Sequence, residues 1–118
     1  MAAGRFHIII DVNNVPDPVL SDEEKLTNFL NALPGTIGMS VLKGPIIAAG
    51  IPENPGLSGF VIIDYSHISI HTFTNHKQVL VDIFSCKPYD QKVAKTAVMN
   101  YLGMDNLDSA KIQQVSWE

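Results

Sequence analysis

The densest run of side chains able to do chemistry is Asp64-Tyr65-Ser66-His67-Ile68-Ser69-Ile70-His71-Thr72. The two-residue period of a strand puts Ile68 and Ile70 on one face and His67, Ser69, His71 and Phe73 on the other. A polar stripe of hydroxyls and imidazoles in such a strand needs a reason. A metal site built from His67, His71 and His76 meets a distance problem. In an extended strand, residues i and i+4 lie roughly 13 Å apart, whereas zinc–nitrogen bonds are about 2 Å, and no metal is assigned. A serine, histidine and acid triad can be assembled from almost any chain, and the G-x-S-x-G elbow of hydrolases is missing. A solvated strand face with hydrogen-bonded hydroxyls is the plain alternative. Cys86, the single cysteine, reads either as a small buried hydrophobe or as a reactive thiol.

The elements that must carry these residues follow from periodicity and punctuation. Arg5 to Val12 is a β-branched run ended by Asn13-Asn14, Pro16 and Pro18, which predicts a first strand and then a loop. Ser21 with Glu24 has capping-box spacing, and Leu26, Phe29, Leu30 and Leu33 form one helical stripe stopped by Pro34-Gly35. Met39 to Leu42 and Ile46 to Ala49 read as a strand broken at Gly44-Pro45, with Pro52, Pro55 and Gly56 in a loop. Ser58 to Tyr65, His67 to Phe73 and Gln78 to Ser85 are three further strands. Asp90 caps a second helix whose stripe is Val93, Ala94, Ala97, Val98, Tyr101 and Leu102, ended by Gly103. Lys111 to Trp117 is a last strand.

Two amphipathic helices beside five or six strands predict an α+β class, two-layer α/β sandwich with both helices on one face of a mainly antiparallel sheet. The strands are apolar on both faces, as Val61 and Ile63 against Phe60 and Ile62 illustrate. Two helices cover one face only, so the other is expected in a homodimer interface, the alternative being the lining of a ligand cleft.

The chain of 118 residues, 46% of them hydrophobic, fits one domain over residues 1–118. Eight Lys+Arg against twelve Asp+Glu, a net charge of −4, leave no basic footprint for nucleic acid. No apolar stretch approaches the roughly 20 residues of a membrane span. The start MAAGRFHIII lacks the pattern of a secretory signal, and one cysteine without an intrachain partner suits a reducing cytoplasm.

Ser58-Gly59-Phe60-Val61-Ile62-Ile63-Asp64-Tyr65-Ser66-His67-Ile68-Ser69-Ile70-His71-Thr72, continued by Val81-Asp82-Ile83-Phe84-Ser85-Cys86, resembles the bacterial and archaeal S-adenosylmethionine decarboxylases, with Gly4-Arg5 and its strand a weaker second match. The resemblance implies a proenzyme that cuts itself. Ser66 would attack the carbonyl of Tyr65 in an N-to-O acyl shift, and loss of its α-proton would eliminate the carboxylate and leave a dehydroalanine that becomes a pyruvoyl group at position 66. A β chain of residues 1–65 and an α chain of 66–118 would result. His71 matches the histidine that abstracts the proton, Ser58 a serine that assists processing, and Cys86 the general acid that reprotonates the decarboxylated substrate. The pyruvoyl group, the only cofactor implied, would form a Schiff base with a small amino-acid substrate and accept electrons as carbon dioxide leaves.

Two departures bear on the substrate. The family has Glu before the serine where this chain has Tyr65. It reads Trp-Pro-Glu after His-Thr where this chain has Phe73-Thr74-Asn75. Phe73 and Asn75 are then the candidate substrate-binding residues, Phe73 presenting an aromatic face and Asn75 an amide in place of a carboxylate. S-adenosylmethionine decarboxylation for spermidine synthesis is the first expectation. A pyruvoyl-dependent decarboxylase of arginine or ornithine, and a noncatalytic paralogue that does not process itself, are the alternatives.

Overall fold

The computed structural model describes residues 3–117. Six strands form one sheet: β1 (Phe6–Val12), β2 (Val41–Ile51), β3 (Asn54–Ile63), β4 (Ser66–Phe73), β5 (Gln78–Ser85) and β6 (Ala110–Gln114). Their order is β2-β3-β4-β5-β1-β6, every neighbouring pair antiparallel. Helices α1 (Asp17–Leu20), α2 (Glu23–Thr36) and α3 (Gln91–Leu102) and a short 3-10 helix (Leu107–Ser109) make up the other elements of the described residues. Consecutive hairpins join β2 to β5, so β4 lies inside the sheet between two full ladders.

The expected alternation holds. Ile8, Ile10, Val61, Ile63, Ile68, Ile70, Val79, Val81 and Ile83 are buried on one face against Leu26, Leu30 and Leu33 of α2 and Ala94, Val98 and Leu102 of α3. At about 25 cal/mol per Å² of apolar surface, this layer is the main stabilising term. The opposite face stays open within one chain: Phe60 is 38% exposed, Ile62 39% and Ile46 61%. No helix among the described residues is long and apolar enough to cross a membrane.

Several boundaries differ from expectation for local reasons. The segment after Asn14 forms a helical turn, α1, because Pro18 sits in the first turn of α1, where a missing N–H costs nothing. Ser21 closes α1, so Asp22 becomes the cap of α2, its carboxylate accepting from Lys25 N at 3.0 Å. Pro34 and Gly35 do not stop α2, which runs to Thr36. In the last turn Pro34 forfeits one backbone bond, and its ring is buried. Gly44-Pro45 does not break β2 but coincides with register shifts between Lys43 and Ile46. Strand β3 begins at Asn54, not Ser58, because Gly56, at φ +148, lets the backbone approach the Thr72 carbonyl where a side chain would collide. Of the α3 stripe, Val93 is exposed, while Asp90 and Gly103 cap the helix as expected.

Thr72, the buried polar residue of β4, ties the helical layer to the sheet. Its hydroxyl donates to Leu20 O at 2.7 Å and accepts from Leu57 N at 2.8 Å. Thr72→Val keeps the shape but orphans both groups. At about 1–3 kcal/mol per unsatisfied buried group, we expect a loss of about 2–4 kcal/mol, read by urea denaturation. Tyr101 behaves in the opposite way. It stacks on Phe29 at 4.4 Å, its hydroxyl is buried with no partner, and burial raises its pKa to about 12, with Asp22 adding to the effect. A raised folded-state pKa means stability that is whole below pH 10 and declines as pH rises toward 12. Tyr101→Phe removes that orphaned hydroxyl, so it should be at least as stable as the parent at pH 7 and should lose less stability between pH 9 and 11, measured by denaturant titration at each pH.

Candidate active site

Residues expected to act together fall into two groups at opposite ends of β4. At its start, Asp64 and Tyr65 form a two-residue hairpin turn between Ile63 and its ladder partner Ser66. Such tight hairpins normally take up the strand twist with positive φ at the turn residues. Here Ser66 carries the positive φ instead, at +145°. Residues with a Cβ rarely adopt that region, and holding one there costs on the order of 1–3 kcal/mol.

The surrounding chain holds the strained turn from two sides. The Asp64 carboxylate accepts from Ser40 N, and Asp64 N donates to Ser40 O, both at 3.0 Å. From the other side, the Cys86 N–H donates to the Tyr65 carbonyl at 2.9 Å. The buried Ser85 hydroxyl donates to Lys87 O at 2.8 Å and accepts from Lys87 N at 2.9 Å, which bends the chain tightly after β5. Lys87 Nζ in turn donates to Gly38 O at 3.0 Å and lies 5.0 Å from the centroid of the Tyr65 ring.

Ser66 faces Ser85 in the ladder, so Cys86 is the next residue along the neighbouring strand. By strand parity Ser66 falls on the side of Ser85 and Cys86 on the other. Cys86 is exposed, so it is not the small buried hydrophobe that its residue type allowed.

The second group lies five positions along β4. Ser58 and His71 are ladder partners, and Ser58 Oγ is 2.8 Å from His71 Nδ1. Phe73 is half-buried two residues further on, and Asn75 is exposed in the following turn. The rise of a strand sets His71 about 16 Å from Ser66. Ser58 and His71, to which the resemblance gave separate roles in processing, are therefore hydrogen-bonded to each other and stand away from the Tyr65–Ser66 bond.

Between the two groups, the open face holds an aromatic and imidazole cluster that strand parity alone could have revealed. His7 Nε2 is 2.9 Å from Asp82 Oδ1, and His67 Nε2 is 4.0 Å from the same oxygen. His67 stacks on Phe60 at 5.3 Å, His7 stacks on Trp117 at 5.8 Å, and the Arg5 guanidinium lies 5.5 Å over the Trp117 ring. Lys87 carries no signal in the sequence, and Asp64, the first residue of the polar run, meets Ser40 only in the folded hairpin.

Comparison with known proteins places this geometry. The family model described as S-adenosylmethionine decarboxylase matches residues 6–114, nearly the whole described chain. The chain belongs to the S-adenosylmethionine decarboxylase family. Among family relatives, the S-adenosylmethionine decarboxylase proenzyme of Hydrogenobaculum sp. is 32% identical over 108 residues, covering 87% of this chain and 75% of the relative. That of Geobacillus kaustophilus is 33% identical over 57 residues, 48% of this chain and 46% of the relative, so the match spans about half the length of such relatives. An arginine decarboxylase proenzyme of Caldivirga maquilingensis is 26% identical over 88 residues, 71% of this chain and 66% of its own. The crystal structure of the adenosylmethionine decarboxylase from Aquifex aeolicus superposes with a TM-score of 0.76 at 21% identity over 98% of this chain and 91% of that one, so the α+β fold is shared.

The strain at Ser66 gives a direct test. Ser66→Gly and Ser66→Ala both remove the hydroxyl, but only glycine adopts φ +145° freely. We expect the glycine variant to be more stable than the alanine variant by about 1–2 kcal/mol in urea denaturation, and equal stability would show that the backbone there is relaxed.

Proposed function

We propose that this chain is a self-cleaving, pyruvoyl-dependent decarboxylase acting on S-adenosylmethionine. The observation that carries the reading is the Tyr65–Ser66 peptide: a carbonyl already hydrogen-bonded by Cys86 N–H, followed by a serine held at φ +145°.

The chemistry follows from those atoms. Ser66 Oγ attacks the Tyr65 carbonyl carbon, and negative charge develops on the oxygen that Cys86 N–H already holds. Collapse breaks the C–N bond and leaves an ester. Loss of the Ser66 α-proton to a base then expels the Tyr65 carboxylate, ending one chain at residue 65. The imidazole of His71 is the base, with Ser58 fixing its ring through Nδ1 and leaving Nε2 to take the proton. The dehydroalanine left at position 66 tautomerises to an imine, water displaces its nitrogen as ammonia, and the pyruvoyl group so formed would supply an electron sink for the loss of carbon dioxide. Cys86, adjacent across the ladder end, returns a proton to the substrate carbon, and Phe73 and Asn75 contact the substrate beside His71.

His71 and Ser66 lie too far apart in one chain for a direct proton transfer, and the open face is apolar at Phe60, Ile62 and Ile46. Both facts support a homodimer in which the Ser58–His71 pair of one copy meets the Tyr65–Ser66 bond of the other across that face. Cytoplasmic action in spermidine synthesis belongs to the same reading.

A second reading keeps the machinery and changes the substrate to arginine or a related amino acid. It is favoured by Phe73-Thr74-Asn75, which lacks the carboxylate expected there, and by the similarity to an arginine decarboxylase proenzyme.

Intact mass spectrometry tests both the cleavage and the division of labour. We expect wild-type protein to yield fragments of residues 1–65 and of 66–118 beginning with pyruvoyl, and Ser66→Ala and His71→Ala each to remain whole. Co-expression of those two variants should restore cleavage of the His71→Ala chain only. A wild-type chain that stays whole would overturn the reading, and failure of the mixed pair would overturn the shared site. Carbon dioxide release from S-adenosylmethionine against arginine then separates the two substrates.

A further inference from the structure

We propose that Lys87 is a positioning residue for self-cleavage, a clamp that holds the Tyr65 carbonyl on the Cys86 N–H while Ser66 stays strained. This rests on the cleavage reading above and assigns a residue that it does not use.

Lys87 is fixed at both ends. Its backbone is held by two hydrogen bonds with the buried Ser85 hydroxyl, and its ammonium donates to Gly38 O at 3.0 Å. Gly38 lies just beyond α2 at φ +81°, which turns the chain back toward β2. The ammonium of this tethered side chain sits 5.0 Å from the centroid of the Tyr65 ring, within the range of a cation–π attraction. Tyr65 is thereby held by its ring from Lys87 and by its carbonyl from Cys86, two residues that are consecutive in the chain.

A backbone conformation that costs free energy persists only where its surroundings over-determine it. The Asp64–Ser40 pair anchors the near side of the turn, and Lys87 anchors the side that carries the scissile carbonyl. Without the ammonium, the turn can relax by rotating the Tyr65–Ser66 peptide, and the carbonyl leaves its donor. Misplacement of a reacting group by even an ångström is costly to rate. Lys87 touches no reacting atom, so its effect passes wholly through Tyr65.

The test follows cleavage of freshly translated full-length chain by gel and mass. Lys87→Met keeps the length and apolar stem but removes the charge, and we expect cleavage to slow about tenfold, or about 1.4 kcal/mol of barrier. Lys87→Arg keeps the cation over the ring and should cleave within about threefold of wild type. Tyr65→Leu should also slow cleavage, and adding Lys87→Met to it should slow it no further, since the partner is already gone. Equal slowing by Met and Arg, or fully independent effects of the two positions, would overturn the clamp.

A second readout does not require cleavage at all. In the uncleavable Ser66→Ala chain, Lys87→Met should raise amide hydrogen exchange at Cys86 about tenfold and leave Ile83, inside β5, unchanged. Unaltered exchange at Cys86 would overturn the clamp even if cleavage is observed. A wild-type chain that never cleaves would instead strike at the proposed function, while faster exchange at Cys86 would still locate the clamp.

Discussion

One backbone hydrogen bond, from Cys86 N–H to the Tyr65 carbonyl, ties the Tyr65–Ser66 turn to the end of β5. It requires the start of β4 to lie beside the end of β5, and the Ser66–Ser85 ladder pair provides that contact. The bond also explains why positive φ is tolerated at Ser66. A free hairpin would move the strain to a turn residue or relax it. This one is held by Cys86 on one side and by Ser40 through Asp64 on the other. The local free-energy cost is offset by the rest of the fold, in which fully buried isoleucines and valines line β1, β4 and β5 under α2 and α3.

The same ladder acts as a ruler. Its registers are continuous from Ser66–Ser85 to Phe73–Gln78 and from Ser58–His71 to Ile63–Ser66, with no bulge to shorten the path. Five rows therefore separate Ser66 from His71, and no rotamer change closes about 16 Å. A hydrogen-bonded serine–histidine pair on an exposed strand face, with an open apolar surface around it, is complete chemistry without a local target. The sheet keeps the Ser58–His71 pair and the Tyr65–Ser66 peptide, the proposed proton-transfer pair and scissile bond, rigidly apart, and a second open face in the opposite direction is the simplest object that would bring them together.

Much of this architecture was legible in the residues. Gln78–Ser85 was bounded correctly because its β-branched alternation lies between two turns. Asp90 and Gly103 marked the ends of α3 because capping is local chemistry. The α+β layering followed from counting stripes. What could not be read were effects whose cause lies far along the chain. Pro34 sits in a helix because its ring is buried in the core and the last turn loses little. Ser21 looked like the cap of α2 because a helical turn before it, α1, has too few residues to show a period. Gly44-Pro45 stayed within a strand because pairing with β3 absorbed the irregularity. At the site, motif resemblance picked out Ser58, Ser66, His71 and Cys86, but the separation between them, and the grip of Lys87 on Tyr65, exist only in the folded register.

The middle of the open face sharpens what a partner surface must offer. The Asp82 carboxylate is shared by His7 at 2.9 Å and approached by His67 at 4.0 Å, both rings being walled by Phe60, Phe84 and Trp117. Covering such a cluster removes water from one carboxylate and two imidazoles at once. A buried carboxylate is tolerated when it is paired and hydrogen-bonded, and His7 already supplies that bond inside the chain. The face is therefore apolar at its rim, through Ile46, Ile62 and Trp117, and internally compensated at its centre. Those two properties suit burial against a second apolar face better than contact with bulk water, and they leave half-buried Ser58 with exposed His71 at one end of the face and the exposed thiol of Cys86 at the other, where the proposed chemistry would use them.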